Sequence, residues 1–241
     1  MATGHYVRLR EKTESGPGSG SHSEMQLLKA KDSGKDQSYV LHVLGQEQLR
    51  KALFPVGEFT KEEIRAIAKD FGLPSASRPD SQDLCFLAGE DYRQFLKRNA
   101  PESLVPGEIR SKDGEPLGMH SGLSQYTIGQ RKGLGFSSSQ PMYVLEKNIA
   151  TNTIVVGDRN DLGKDELFVI NPNWISGFPI TEPFRADVKI RYTSREAAAQ
   201  VSLRSDGRYW IKFDNPQRDI TSGQAAVFYQ GDLVFGGGII E

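Results

Sequence analysis

Read as a pattern of apolar and polar positions, the chain changes character along its length. The opening residues Ala2 to Tyr6 read as the end of one strand, and Val7 to Arg10 as another short strand. The Gly/Ser-rich stretch Glu14 to Ser23 predicts a flexible surface loop. Gln26 to Ala30 predicts the returning arm of a hairpin. This opening has the look of a domain that continues further N-terminally. Helical spacing follows. Val40, Leu41 and Leu44 define one face of a helix over Asp36 to Leu44, and a second short helix is predicted over Gln46 to Leu53. The sharpest helix signal is Thr60-Lys61-Glu62-Glu63, a capping box in which threonine oxygen and Glu63 carboxylate each satisfy an orphan amide. Ile64, Ile67, Ala68 and Phe71 are expected to form its buried stripe, with Gly72 ending the helix and Pro74 preventing continuation. Glu90 to Lys97 predicts another helix, with Tyr92, Phe95 and Leu96 inward, and Pro101 and Pro106-Gly107 mark a boundary.

Beyond Gly107 the period shortens from helix to strand. Lys112-Asp113-Gly114 predicts a hairpin turn between Glu108–Arg110 and Pro116–Met119. Met142–Glu146 and Thr153–Val156 predict a second hairpin around Asn152. In Phe184 to Tyr192 the alternation is strict. Phe184, Ala186, Val188, Ile190 and Tyr192 fall on one face, and Arg185, Asp187, Lys189 and Arg191 on the other. Val201–Leu203, Tyr209–Ile211, Ala225–Tyr229 and Leu233–Phe235 continue the set, with turns at Asp206-Gly207 and Gly231-Asp232. Short strands at such spacing predict a small β-barrel.

Composition narrows the class. With 241 residues, 37% hydrophobic and 25% charged, the chain is expected to fold into two or three soluble units. No apolar run approaches the roughly 20 residues of a membrane-spanning helix, and MATGHYVRLR lacks the apolar core of a signal peptide. A single cysteine forms no internal disulfide and no thiolate metal cluster, so a cytoplasmic location, no metal and no membrane are expected. A formal net charge of −1 argues against nonspecific coating of nucleic acid but leaves room for local basic surfaces. Two such regions stand out. Pro116 to Leu145 contains Arg131 and Lys132 but no acid, and Arg185, Lys189, Arg191 and Arg195 are opposed only by Asp187. Either is also compatible with an ordinary solvated face.

Three segments could carry chemistry. Cys85 follows the polar run Asp80 to Asp83, a setting that suits an accessible thiolate, but its neighbours Leu84 and Phe86 suit a packed structural thiol. Tyr126 to Gly135 places Gly129, Gly133 and Gly135 around Arg131 and Lys132, allowing backbone approach to an anionic partner or simply joining strands. It is not a Walker A loop, because no Ser or Thr follows Lys132. Lys35-Asp36-Gln37-Ser38 stands at a helix start, where Asp36 or Ser38 could act as a cap. His5 is equally consistent with an ordinary surface histidine.

Taken in order, Ala2–Tyr6, Lys35–Tyr39, Leu53–Gly57, Asp80–Phe86, Tyr126–Gly135, Lys189–Tyr192 and Gly223–Tyr229 closely resemble the bacterial tRNA-specific 2-thiouridylases. The resemblance covers essentially all 241 residues. It implies an α/β remnant of an adenine-nucleotide α-hydrolase (PP-loop) domain over 1–98, a small central domain over 99–165 and a C-terminal all-β barrel over 166–241. The implied reaction is ATP-dependent transfer of persulfide sulfur to C2 of the wobble uridine of tRNA. Cys85 would be the persulfide carrier and Gly4 an ATP contact. His5, Lys35, Asp36, Gln37, Arg191, Tyr192 and Gln224 would contact tRNA, with Arg131 and Lys132 as further candidates. ATP would be the co-substrate and no metal is implied. The partners would be tRNA and a sulfur-relay protein or cysteine desulfurase, with the enzyme itself a monomer.

Two features of the family pattern are absent. The sequence has no S-G-G-x-D-S pyrophosphate loop and no second cysteine to resolve a persulfide as a disulfide. The resemblance therefore implies that the isolated chain is inactive and needs an additional N-terminal part. A noncatalytic tRNA-binding module and a sulfur carrier without RNA are the competing readings.

Overall fold

The computed structural model describes residues 1–16, 19–77, 87, 90–218 and 220–241, with the side chains of 14–16 and 19–22 excepted. The described chain divides into two compact units. One combines Met1–Arg78 with Asp165–Pro216 and Thr221–Glu241, and the other holds Pro79–Lys164 with Gln217–Ile220.

The first unit opens with a two-stranded ribbon, β1 (Val7–Gly16) and β2 (Ser19–Lys29), paired antiparallel from Val7↔Lys29 outward. The loop expected over Glu14–Ser23 is corrected here, because the ladder continues through Glu14↔His22 to Gly16↔Ser19. A ladder is built from backbone N–H and C=O groups, so Gly and Ser do not prevent pairing. Three helices follow: α1 (Ser38–Leu41), α2 (Gln46–Arg50) and α3 (Lys61–Asp70). The first two are shorter than expected. At α1 the preceding Gln37 is tied by its backbone amide to Tyr6 O at 2.9 Å, which holds the chain in a turn where the helix would begin.

Helix α3 carries the expected capping box. Glu63 N donates to Thr60 Oγ1 at 3.2 Å and Thr60 N to Glu63 Oε2 at 2.6 Å. These bonds, led by that from Thr60 N and joined by Lys31, hold the Glu63 carboxyl below its usual range. The buried stripe expected on α3 is not buried. Phe71 is 77% and Ile67 38% exposed, and no α3 residue is buried. Amphipathic spacing creates an apolar face, but burial needs a second element across it, and α3's principal neighbour is the short 3-10 turn Pro74–Ser77.

The C-terminal strands of this unit close on themselves. β7 (Lys164–Trp174), β8 (Phe184–Lys189), β9 (Ala197–Leu203), β10 (Tyr209–Gln217), β11 (Ala225–Gln230) and β12 (Leu233–Ile240) form the order β12-β11-β8-β9-β10-β7, and β12 pairs back to β7. The result is the barrel that the alternation predicted. Ribbon strand β2 adds to its outside through Leu28↔Leu233. Trp174, Phe184 and Phe228 pack inside, with Trp174 stacked on Phe228 at 5.6 Å. A second core joins the ribbon and helices to the barrel through Val7, Leu27, Tyr39, Leu49, Val227 and Tyr229.

His42 is buried beside this second core, and its Nδ1 lies 2.7 Å from Tyr39 O, so the neutral ring donates there. Burial pulls its pKa below the usual histidine value, against a smaller upward pull from the carbonyl. The unfolded chain therefore binds the extra proton first as pH falls through 6.5, and stability falls with it. The unfolding free energy from urea titration is expected to drop between pH 7.5 and 5.5, by up to about 1.4 kcal/mol per pH unit. His42→Gln should flatten that dependence. An unchanged slope in the variant would remove His42 as its source.

The second unit contains α4 (Tyr92–Asn99), capped by the Asp91 side chain on Arg93 N at 2.8 Å. None of its residues is buried, and Tyr92, expected inward, is 43% exposed. A four-stranded sheet follows, in the order β4-β3-β6-β5, from β3 (Gly107–Ser111), β4 (Pro116–His120), β5 (Tyr143–Asn148) and β6 (Thr153–Gly157). Both expected hairpins are present, and a parallel β3–β6 pairing joins them. Asn152 adopts φ 50° at its turn. Ile109, Val144, Ile154 and Val156 are fully buried at the centre of the core.

Candidate functional site

The sequence candidates of the first unit are linked by a chain of short contacts. It starts at the N-terminal segment, where His5 Nδ1 lies 2.8 Å from Thr3 Oγ1. The next residue, Tyr6, is bonded to Gln37 twice. Tyr6 N donates to Gln37 Oε1 and Gln37 N donates to Tyr6 O, each at 2.9 Å. Gln37 therefore fixes the position of His5 relative to the Lys35-Asp36-Gln37 turn.

Asp36 holds that turn from within. Its Oδ1 accepts from Ala30 N at 2.9 Å, and its Oδ2 accepts from Ser38 Oγ at 2.6 Å. Ser38 is fully buried and its hydroxyl also lies 3.2 Å from Tyr229 OH. A hydroxyl has one hydrogen, and the carboxylate can only accept. Ser38 thus donates to Asp36, and Tyr229 donates to Ser38. Burial raises the Tyr229 pKa and keeps that donor proton in place, while the Ser38 bond pulls the other way. The loop residues are in this way keyed to barrel strand β11.

Tyr39 makes the next link. It is buried, its hydroxyl donates to Ala225 O at 2.9 Å, and burial raises its pKa. Its ring meets Tyr192 edge-on at 6.2 Å. Lys189 Nζ sits over both rings, 6.0 Å from Tyr39 and 5.8 Å from Tyr192. Tyr192 departs from the strand pattern, which grouped it with the apolar face of Phe184, Ala186, Val188 and Ile190, because β8 ends at Lys189. Ser194 N then donates to Arg191 O at 3.1 Å in a tight turn, and Tyr192 emerges 45% exposed. Arg191 Nη2 donates to Thr221 Oγ1 at 2.7 Å. Gln224 is exposed, and its amide is bonded to Thr221 O at 3.2 Å. His5, Lys35, Asp36, Gln37, Arg191, Tyr192 and Gln224 therefore belong to one connected region.

Arg131 and Lys132 are exposed in the second unit, on a loop anchored to β5 by Gly129 N on Val144 O at 2.8 Å and Val144 N on Gln130 O at 3.0 Å. A cleft of about 370 Å³ beside them is lined by Arg131, Leu134, Phe136 and Met142. Asp80–Phe86, with Cys85, lies outside the described residues. Gly4 is exposed, and a Cβ there would meet nothing within 4 Å. The polar groups beside it are engaged locally, Thr3 N with Leu53 O at 3.0 Å and Thr3 Oγ1 with His5. Among the described residues no cluster of three or more His, Cys, Asp or Glu could hold a metal, and no helix is long and apolar enough to cross a membrane.

Comparison with known proteins bears on this arrangement. Three family models tile the chain: a tRNA methyl transferase HUP domain over residues 1–89, a tRNA methyl transferase PRC-barrel domain over 93–158 and an aminomethyltransferase beta-barrel domain over 164–240. The chain is 46% identical over 241 residues to tRNA-specific 2-thiouridylase MnmA 2 of Caldanaerobacter subterraneus subsp. tengcongensis. It is also 46% identical to MnmA 1 of Thermoanaerobacter pseudethanolicus, and 43% identical over 240 residues to MnmA of Chloroflexus aurantiacus. The whole of this chain is matched each time. This chain belongs to the tRNA-specific 2-thiouridylase family. It spans 64% of the length of the first two 2-thiouridylase relatives and 65% of the third, and matches their C-terminal part. The fold agrees with membership: a HUP fragment, a PRC-barrel-like middle and a C-terminal β-barrel.

Sequence reasoning did not single out Lys189, Lys29 or Tyr39 as site residues. Lys189 was visible only as one member of a basic cluster. Its distinguishing feature, a position over two tyrosine rings, comes from chain segments some 150 residues apart, 39 and 189–192.

Proposed function

We propose that this chain is the tRNA-holding and sulfur-carrying part of a tRNA 2-thiouridylase. It would act in the ATP-dependent transfer of persulfide sulfur from Cys85 to C2 of the wobble uridine. The observation that carries the reading is the continuous path from His5 through Gln37, Ser38 and Tyr39 to Tyr192, and from Arg191 to Gln224. It gathers cations, amides and an exposed aromatic ring on one region, the chemistry that suits a splayed single-stranded RNA loop. The domains are taken as 1–98, 99–165 and 166–241. Arg131 and Lys132 would offer further phosphate contacts. A sulfur-relay protein or cysteine desulfurase would load Cys85. Productive ATP use would depend on a pyrophosphate loop supplied by further polypeptide, since the sequence contains no S-G-G-x-D-S segment.

The first test is tRNA binding by the full chain. Arg191→Ala is expected to weaken the affinity by roughly five- to tenfold and to make binding less sensitive to salt, because binding with one phosphate contact fewer releases fewer counterions. Affinity and salt dependence unchanged in this variant would take Arg191 out of the site. The second test is thiolation of tRNA in the presence of a persulfide donor, ATP and the N-terminal part of a 2-thiouridylase. Failure to form 2-thiouridine in that complemented mixture would overturn the catalytic reading.

A further inference from the structure

Beside the region just described lies a cleft of about 450 Å³ whose lining includes Arg8, Lys29, Lys31 and Lys189. Four cations meeting in one cleft repel one another unless each has a counter-charge. Three of them have one. Arg8 pairs with Asp232 at 2.6 Å, Lys29 with Glu196 at 2.7 Å and Lys31 with Glu63 at 3.0 Å. The remaining acid of the lining, Asp36, is engaged by Ala30 and Ser38 within its own turn. Lys189 is different. Among the described residues no carboxylate lies within ion-pair distance of it, and its ammonium rests instead over the faces of Tyr39 and Tyr192.

The cleft is preformed. Lys29 Nζ lies 4.7 Å over the ring of Tyr229, which is fully buried, and Arg8 Nε donates to Lys29 O at 2.7 Å. The buried ring of Tyr39 and the exposed ring of Tyr192 meet edge-on at 6.2 Å, and Lys189 rests against both. A half-buried cation without a counter-ion is completed by an anion. An adjoining exposed ring is completed by a flat π-system. The ligand that offers both in alternation, one anion and one ring per repeat, is single-stranded nucleic acid.

We propose that this cleft is a nucleotide subsite of the tRNA interface. Lys189 binds a backbone phosphate at its mouth, and Tyr192 stacks on the base of the adjoining unpaired nucleotide. The paired cations Arg8, Lys29 and Lys31 supply a positive wall that Asp232, Glu196 and Glu63 keep from being strong enough to hold any anion indiscriminately. The inference rests on the tRNA reading above and goes further in assigning a residue to each half of the nucleotide.

The test is binding of labelled tRNA to the full chain across a range of salt concentrations, with thermal midpoints measured for each variant. Lys189→Gln is expected to lower affinity about tenfold and to reduce the slope of log K against log salt by roughly 0.7 to 0.9, the value of one phosphate contact. Lys189→Arg should restore the slope, since a guanidinium also pairs with phosphate. Tyr192→Leu should lower affinity by roughly fivefold or more with the slope unchanged, because stacking carries no counterion term. Lys189→Gln with wild-type slope, while Arg191→Ala still weakens binding, would overturn the subsite and leave the tRNA reading standing. Equal losses in Lys189→Gln and Lys189→Arg, accompanied by lowered midpoints, would mark Lys189 as a packing residue and also overturn it. A wild-type chain with no affinity for tRNA would overturn both readings together.

Discussion

Cys85→Ser is expected to abolish 2-thiouridine formation, by on the order of a thousandfold or more, in the assay complemented with an N-terminal part. A serine oxygen cannot hold sulfane sulfur, and its proton is held too tightly for it to act as the carrier nucleophile. The chain has one cysteine, so labelling by a thiol reagent or a mass gain of one sulfur atom reports on a single position. Incubation with a persulfide donor should produce that gain in the wild type and not in the serine variant. The thermal midpoint and tRNA affinity should remain as in the wild type. A variant that melts several degrees lower would return Cys85 to the packing role that its neighbours Leu84 and Phe86 suggest, and one that still thiolates would place the sulfur elsewhere.

The largest effect on the fold is expected at the barrel seam. Gly236 lies in β12, the strand that pairs with β11 on one side and β7 on the other. Its φ is 150°, and a Cβ there would fall 2.0 Å from Asn173 O and 3.1 Å from Trp174 Cα. Both atoms belong to the backbone of β7 or to its path, so they cannot swing aside as a flexible side chain would. Gly236→Ala is expected to cost about 3–5 kcal/mol, from backbone strain and overpacking together. That is a large share of the stability of an ordinary domain. Urea unfolding measures it. Gly177→Ala is the control, because Gly177 also has a positive φ, 85°, but open space around its missing Cβ. It should cost about 1–3 kcal/mol. Equal losses at the two positions would show that strand closure does not depend on the close approach at Gly236.

The barrel was legible in the sequence because strands such as β8 and β10 alternate and turns separate short apolar runs, and both are local properties. The same holds for the Thr60–Glu63 capping box and the hairpin turns at Lys112-Asp113-Gly114 and Asn152. Two expectations, and one strand pattern, went wrong where the outcome depended on something distant. The α3 stripe is amphipathic, but pattern does not supply the element that would cover Phe71. Glu14–Ser23 has a loop's composition, yet its backbone finds a partner strand. Tyr192 continues the apolar period of β8, but the strand stops three residues earlier and the Arg191–Ser194 turn redirects it. That last departure matters most for the proposed site, since the proposed stacking needs the Tyr192 ring exposed. The candidate residues themselves were identified through the order of family motifs. Local chemistry alone left Cys85, Asp36 and His5 open, and it could not reveal that Lys189 lies over rings from two distant segments.

The first unit is assembled from the two ends of the chain. Val7, Leu27 and Tyr39 share a core with Val227, Tyr229 and Val234. Such high contact order makes folding slow, because a long loop must close before the contacts reward it. During synthesis the β1–β2 ribbon and its apolar residues leave the ribosome well before β11 and β12 exist. The ribbon must wait, with Leu27 and Val7 uncovered and an edge strand open to pairing. Chaperone dependence during expression, and aggregation of chains stopped before residue 225, are the biological signature this topology would leave.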